Sequence, residues 1–323
     1  MQLYSGYISN ERKLLASASG GAATALAECV LAKNGVVYGV RYSNDFRYAE
    51  FCCVDNLSDL EQIKGSKYVE TRKNGLYDSV ATTLAENKTV LFLGLGCDIG
   101  AIKSYCKNKF IDTTHLYTVD ILCHGPVPKE VHERFILELE NKYKSKLSDF
   151  SIRYKKNGWY PFYIKAIFEN GLEHIEPFNE SDYGKAFYYI SRPICTNCAF
   201  KGEKHQGDLC VGDYWGIKEN MPGWNPNGVS IIVVQTKKGE ELLSQLRDDF
   251  VIQHADKDVF LQNNPMYEHS RRQYEFYSEF MNDLKSQGLH YAVKKLPVQR
   301  VSTFAKVFRK IKNYLSKFLK KNR

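Results

Sequence analysis

Four cysteines stand where a metal or iron–sulfur site would need them. Cys97 and Cys123 each follow an apolar run, and Cys195 and Cys198 form a CxxC step in Arg192-Pro-Ile-Cys-Thr-Asn-Cys-Ala-Phe-Lys201. Thiolates bind zinc in closed tetrahedral sites and iron in sulfide-bridged clusters. One CxxC step with two singletons is compatible with a cubane cluster. Most four-cysteine zinc sites use two such steps, although His124, directly after Cys123, could replace one sulfur on zinc. Spacing leaves three readings open: an iron–sulfur cluster, a zinc site, or thiols that share no site.

The elements that must position these residues alternate. Ala22 to Lys33 reads as a helix stopped by Asn34-Gly35, and 36–40 and 48–54 read as strands. Leu76 to Glu86 is predicted helical, 89–95 a buried strand, 98–108 a helix, 115–122 a strand and 128–143 a long helix. This is α/β order. If the strands at 89–95 and 115–122 are joined by the helix between them, they are parallel, and Cys97 and Cys123 emerge at the same sheet edge, where open α/β sheets bind ligands. From about residue 148 the texture changes. Strands are predicted at 150–154 and 162–168, Asn170-Gly171 as a hairpin turn into 172–177, a strand at 229–235, a helix at 239–249 and helical stretches over 266–287. The expected fold is α/β, a mixed and partly parallel sheet with flanking helices, plus an antiparallel and helical C-terminal region. The expected parts are 1–147, binding flavin and cluster; 148–290, carrying the CxxC segment; and a basic amphipathic tail over 291–323.

Composition bounds the class. The chain has 323 residues, 43% hydrophobic and 25% charged, enough for a full core. Its first residues hold no apolar stretch of signal-peptide length, and the apolar runs near 89–95 and 229–234 are too short to span a bilayer. The expectation is a cytoplasmic protein, in which nine cysteines suit ligands and buried thiols better than disulfides. The net charge of +8 resides in residues 304–323, which hold eight Lys or Arg and no acid. There Phe304, Val307, Phe308, Ile311, Tyr314, Leu315, Phe318 and Leu319 recur at helical spacing, so a helix would oppose an apolar stripe to a cationic face. Such a tail suits an anionic membrane surface, placing the protein peripherally at its inner face, or an acidic partner. A terminal helix docked on its own domain is the plain alternative. No basic stripe interleaved with aromatics appears elsewhere, so nucleic acid is not an expected partner.

Six motifs together carry a family resemblance. They are Ser19-Gly-Gly21 with Thr24, Gln62-Ile-Lys-Gly-Ser-Lys-Tyr68, the Gly-x-x-Cys at 94–97, Cys123-His-Gly125, the Arg192 to Lys201 segment and Gly212-Asp-Tyr-Trp-Gly216. In order and spacing, over roughly residues 15–240, the chain resembles the coenzyme F420 hydrogenase/dehydrogenase β-subunit family. The resemblance implies an iron–sulfur flavoprotein oxidoreductase that holds FAD beside one 4Fe-4S cluster and favours the cluster over zinc. It implies electron transfer between a hydride carrier, of deazaflavin or nicotinamide type, and a redox partner protein or substrate. It also suggests a role in cell-surface polysaccharide biosynthesis. The implied cluster ligands are Cys97, Cys123, Cys195 and Cys198. Ser19, Gly20, Gly21 and Thr24, opening a helix, would face the FAD pyrophosphate, with Lys64, Gly65, Ser66, Lys67 and Tyr68 adding charge and hydroxyl contacts. His124 would shuttle a proton or donate a hydrogen bond. The competing class is a non-catalytic interaction protein, stapled by zinc or keeping a vestigial site, and recruited to a membrane complex by its tail.

The remaining cysteines have plainer explanations. Cys29 and Cys106 fall on helices as small core residues, Cys52 and Cys53 point to opposite strand faces, and Cys210 lies on an apolar strand. The family turn usually reads Gly-Thr-Pro-Cys-Gln, whereas this chain has Gly94-Leu-Gly-Cys-Asp98. That change nearly creates a dinucleotide fingerprint, with Gly94 and Gly96 after a strand and Asp120 ending the next. The third glycine falls at 100 instead of 99, which leaves a Rossmann NAD site as a weak alternative.

Overall fold

The computed structural model describes residues 1–246, 249–272 and 274–297, so the basic stretch over 304–323 lies outside the described residues. Among the described residues, twelve strands form two sheets. In chain order they are β1 (Gln2–Ile8), β2 (Val36–Tyr42), β3 (Ala49–Val54), β4 (Thr71–Arg72), β5 (Val90–Gly94), β6 (Leu116–Ile121), β7 (Leu147–Tyr154), β8 (Tyr163–Phe168), β9 (Glu173–Pro177), β10 (Leu209–Asp213), β11 (Ser230–Val234) and β12 (Phe250–His254). The helices are α1 (Glu11–Ala16), α2 (Ala22–Leu31), α3 (Leu76–Ala85), α4 (Gly96–Asn108), α5 (Lys129–Tyr143), α6 (Asp182–Tyr189), α7 (Lys237–Leu243), α8 (Lys257–Asn263), α9 (Tyr277–Gln287) and α10 (Leu289–Lys294).

Nine strands form the main sheet in the order β12-β1-β11-β10-β6-β5-β2-β3-β4, and β7-β8-β9 form a separate antiparallel sheet. The main sheet is mixed: β2, β5, β6 and β10 run parallel, while β1, β11 and β12 pair antiparallel beside them. It therefore takes strands from both sides of residue 147. The fold class is the expected α/β, with a partly parallel sheet and an antiparallel and helical region.

Alternation along the strands explains the layering. On β11, Ile232 and Val234 face the core under α2, whereas Ile231 and Val233 face the opposite side with Phe260 and Tyr267. On β5, Leu91 joins the α2 side, and Val90 and Phe92 pack with Ile99 and Ile102 of α4. Both faces of the central strands are covered, which is why they read as continuous apolar runs. The three-stranded sheet makes a separate core with α5, α6, α9 and α10 around Phe150, Ile164, Phe178 and Tyr183.

Some elements differ from the sequence reading. The helix expected at 239–249 ends at Leu243, because the chain then enters β12, which pairs with β1. β1 was not expected: Ser5 and Gly6 dilute its alternation, and it is defined by partners more than two hundred residues away.

Candidate metal and cofactor site

β5 and β6 are adjacent and parallel, with Gly94 opposite Asp120, so the chain leaves both at one edge of the sheet. Cys97 lies in the first turn of α4, directly beyond β5, and Cys123 two residues beyond β6. The α4 start is capped by Asp98, whose Oδ2 accepts the Leu95 N–H at 3.1 Å and whose Oδ1 pairs with Lys73 at 3.1 Å. Asp98, one of the residues that depart from the family turn, thus holds the helix start that presents Cys97.

The CxxC segment closes on this edge from the other half of the chain. Lys201 Nζ donates to the Cys123 carbonyl at 2.7 Å and the Met266 carbonyl at 2.6 Å, and the Cys198 N–H donates to Ser270 Oγ at 2.9 Å. Gly125 has φ +92°, and a Cβ there would stand 3.2 Å from Cys195 Cβ, so glycine suits both the backbone and the close approach of the two segments. Its N–H donates to Cys123 Sγ at 3.1 Å.

The four thiols share one neighbourhood. Cys97 feels the thiols of Cys198 and Cys195, Cys123 those of Cys97 and Cys195, and Cys195 that of Cys198. Loss of hydration pushes Cys123 up to about 12 and Cys97 up to about 11, and raises Cys195; the neighbouring thiols push the same way. Lys73, Lys201 and Arg192 oppose the shift, and Arg271 is also within electrostatic reach of Cys123 and Cys195. Crowded thiols with raised pKa inside a ring of cations suit ligation by a cationic centre, which would deprotonate them. The donor set and its convergence fit an iron–sulfur cluster. Of the other cysteines, Cys29 and Cys106 are buried, Cys53 is exposed and Cys52 packs against the α2-side core.

His124 sits beside this rim. Burial, then Arg271, lower its pKa to about 4, so the ring is neutral near pH 7. Behind it lies a buried polar cluster whose Arg153 and Lys155 sequence reasoning missed. Arg153 donates to Asp213 through Nη1 at 2.8 Å and Nη2 at 2.9 Å, to the Tyr68 hydroxyl at 2.9 Å and to the Ala18 carbonyl at 2.7 Å. Burial disfavours the Arg153 charge, but Asp213 overcomes this and holds its pKa above the usual value. Lys155 Nζ donates to the Leu14 and Ser19 carbonyls at 2.7 Å each. Charges at alternate positions of a strand ordinarily mark its wet face, so nothing in the sequence flagged Arg153 and Lys155. Trp159 packs at a tilt against Trp215, 4.3 Å between ring centroids, and its indole N–H donates to Asp213 at 3.3 Å.

The residues expected to hold FAD separate into two groups. Ser19, Gly20, Gly21 and Thr24 turn inward. Ser19 Oγ donates to the Val229 carbonyl at 3.0 Å, and Thr24 Oγ1 lies 3.4 Å from Ser17 Oγ. A Cβ on Gly20 would meet the Gly6 carbonyl oxygen at 2.2 Å and Ser230 N at 2.4 Å, and one on Gly21 would meet Ile8 at 2.6 Å. Those glycines admit the neighbouring strands. The second group is open. Gly65 has φ +75° with nothing within 4 Å of a Cβ, and Lys64 lines a cleft of about 680 Å³ with Asn10, Arg12, Lys13, Glu28 and Glu61. Lys67 Nζ donates to the carbonyls of Lys64 at 2.5 Å and Gln62 at 3.3 Å, and burial lowers its pKa to about 7. Tyr68 stacks on Phe187 at 4.6 Å, and Phe187 lies 6.3 Å from the His124 ring. Ser66 follows Gly65 in the same turn.

The Rossmann alternative fails on geometry. Asp120, which would hold a ribose, is 1% exposed and bonded to His205 at 2.7 Å, and a Cβ on Gly96 would meet Asp120 Oδ2 and Phe200 Cβ at 3.0 Å.

A mixed α/β sheet whose parallel strands deliver two cysteines to one edge, closed by a CxxC loop, defines a cysteine-rimmed α/β redox protein. The family model for the C terminus of the coenzyme F420 hydrogenase/dehydrogenase beta subunit matches residues 87–259, more than half of the chain, and the chain belongs to that family of oxidoreductases, known for iron–sulfur clusters. The fold is also similar to a chain of the F420-reducing [NiFe] hydrogenase complex from Methanosarcina barkeri, studied by xenon derivatization. The TM-score is 0.55 at 15% identity, covering 91% of this chain and 90% of that one. Among the described residues, no helix is long and apolar enough to cross a membrane.

Proposed function

We propose that this chain is an iron–sulfur flavoprotein that exchanges electrons between a hydride carrier of deazaflavin or nicotinamide type and a one-electron redox partner protein. The observation that carries the reading is the convergence of Cys97, Cys123, Cys195 and Cys198 at one sheet edge, ringed by Lys73, Arg192, Lys201 and Arg271. These cysteines would hold one 4Fe-4S cluster. Membership of a family known for iron–sulfur clusters supports the cluster over zinc.

FAD is the group that, when bound, can exchange both hydride and single electrons. The open turn of Lys64, Gly65 and Ser66, with Arg12 and Lys13 across the cleft, is the part of the chain suited to its pyrophosphate. Lys67 braces that turn through the carbonyls of Lys64 and Gln62, whereas Ser19, Gly20, Gly21 and Thr24 pack inward. His124, neutral and beside Cys123, is suited to hold a hydrogen bond to the carrier, and the ring of cations favours a negatively charged one. The similarity to a chain of a hydrogenase complex supports a protein partner.

The test is an anaerobic purification with iron, sulfide, zinc and released flavin quantified on one sample. About four irons and one FAD per chain are expected on this reading. Iron should be lost in Cys195→Ala while the far-ultraviolet circular dichroism is unchanged. Zinc in the same four cysteines, with no flavin, overturns the proposal.

A further inference from the structure

A second group of ligating atoms lies one layer beneath the cysteine rim. Asp120 of β6 and Cys210 of β10 are register partners on adjacent parallel strands, and His205 enters from the loop between the CxxC segment and β10. One ligand atom from each lies within 4.8 Å of the others. The side chains of Asp120 and His205 are 1% and 3% exposed, and Cys210 is 1% exposed.

The hydrogen bonding of His205 is incomplete without a cation. Its Nε2 faces the Tyr267 carbonyl at 3.2 Å, and a carbonyl only accepts, so Nε2 carries a hydrogen. In the neutral ring Nδ1 is then a lone pair, and it stands 2.7 Å from Asp120 Oδ2, another lone pair. A positive centre must lie between them, either a proton or a metal ion. A proton serves Oδ2 alone. The other carboxylate oxygen, Oδ1, is buried with no hydrogen-bond partner, and the thiol of Cys210 adjoins the same group. A ligating histidine that donates its other ring N–H to a backbone carbonyl is the ordinary outer arrangement of a metal site. The Tyr267 ring, stacked on His205 at 4.7 Å and 12°, fixes the imidazole plane.

We propose that Asp120, His205 and Cys210 form a mononuclear site for a divalent transition ion of the zinc class, separate from the four-cysteine rim. One nitrogen, one oxygen and one sulfur ligand suit that class, and three protein ligands leave one position for water. Binding balances in charge: the ion enters with two positive charges, and the proton shared by His205 and Asp120 and the proton of Cys210 leave. The Nδ1 to Oδ2 separation opens from 2.7 Å to roughly 3.3 Å, as bonds of about 2.0–2.1 Å in a tetrahedral shell require. The ion would tie β6, β10 and the segment following the CxxC step into one unit under the rim.

The experiment uses full-length protein with its cluster intact, incubated with zinc chloride, dialysed, and analysed for zinc, iron and the zinc K-edge absorption fine structure. About one zinc per chain is expected, with one sulfur and two or three nitrogen or oxygen neighbours. Zinc should fall at least about tenfold in Cys210→Ser and in His205→Arg at unchanged iron content. The arginine variant keeps a cation on Asp120 without offering a lone pair, so it preserves folding while removing the ligand. Failure to retain zinc, or equal retention in both variants, overturns the inference while leaving the cluster reading intact. A four-sulfur zinc shell, with iron absent, overturns both readings.

Discussion

The starts of α2 and α4 look alike in sequence and do opposite things. Each follows a glycine-containing turn on the same sheet. At α2, Gly21 takes φ +87°, and the preceding Gly20 is pressed between the Gly6 carbonyl and the Ser230 amide, so the helix end is closed by β1 and β11. At α4, Leu95 is extended, Asp98 caps the first turn, and Cys97 opens at the sheet edge. Glycine marks close packing in the first case and precedes an exposed cysteine in the second. A small-residue helix start is therefore not evidence of a phosphate site until its neighbours are known, whereas a cysteine at a parallel-strand edge carries its position with it.

The largest expected effect comes from untying the α2 start. Arg153 and Lys155 lash residues 14–19 to β7 through the carbonyls of Leu14, Ala18 and Ser19. Arg153→Leu leaves Asp213 buried without its cation, which should cost about 3–5 kcal/mol in denaturant unfolding. A wild-type midpoint in that variant would mean that the lash does not hold the segment closed. Lys155 gives the contrast a pH dependence. Burial, helped by Arg153, lowers its pKa to about 7 from 10.5. Between those values the unfolded chain binds a proton that the folded chain lacks, so stability rises with pH, by up to about 1.4 kcal/mol per unit. Below pH 7 this contribution levels off. Measured between pH 7 and 8.5, the slope should be smaller in Lys155→Met than in the wild type; parallel slopes would show that Lys155 keeps its proton on folding.

The legible part of the molecule was its local and periodic part. The β5-α4-β6 unit follows from two apolar runs and the helix between them, and with it the meeting of Cys97 and Cys123. The hairpin at Asn170-Gly171 is equally local: Gly171 takes φ +81° there, and the Phe168 N–H donates to the Leu172 carbonyl at 3.0 Å. The approach of Cys195 and Cys198 was legible only through the family pattern, because latches such as Lys201 to Cys123 span tens of residues. β1 was illegible for the same reason, its partners lying near the other end of the chain. The buried Arg153–Asp213 pair and the Asp120–His205–Cys210 group depend on which strand faces which, and on loops that fold back over the sheet. No window of sequence contains that information.

The finest distinction is between Gly20 and Gly65. Gly20→Ala forces a Cβ to within 2.2 Å of a backbone oxygen, and rigid strands can yield little, so it should destabilise by about 1–3 kcal/mol. Gly65→Ala meets no atom within 4 Å; its cost is the left-handed backbone alone, about 1–2 kcal/mol. Flavin affinity should order them the other way. Fluorescence titration of apoprotein with FAD should give near wild-type binding for the folded fraction of Gly20→Ala, because that glycine faces the sheet. Gly65→Ala should weaken FAD several-fold, since the new methyl stands where the open turn would receive a phosphate. If Gly20→Ala instead releases FAD while Gly65→Ala binds it normally, the closed helix start is the flavin site after all. The strands beside it would then have to part when FAD binds.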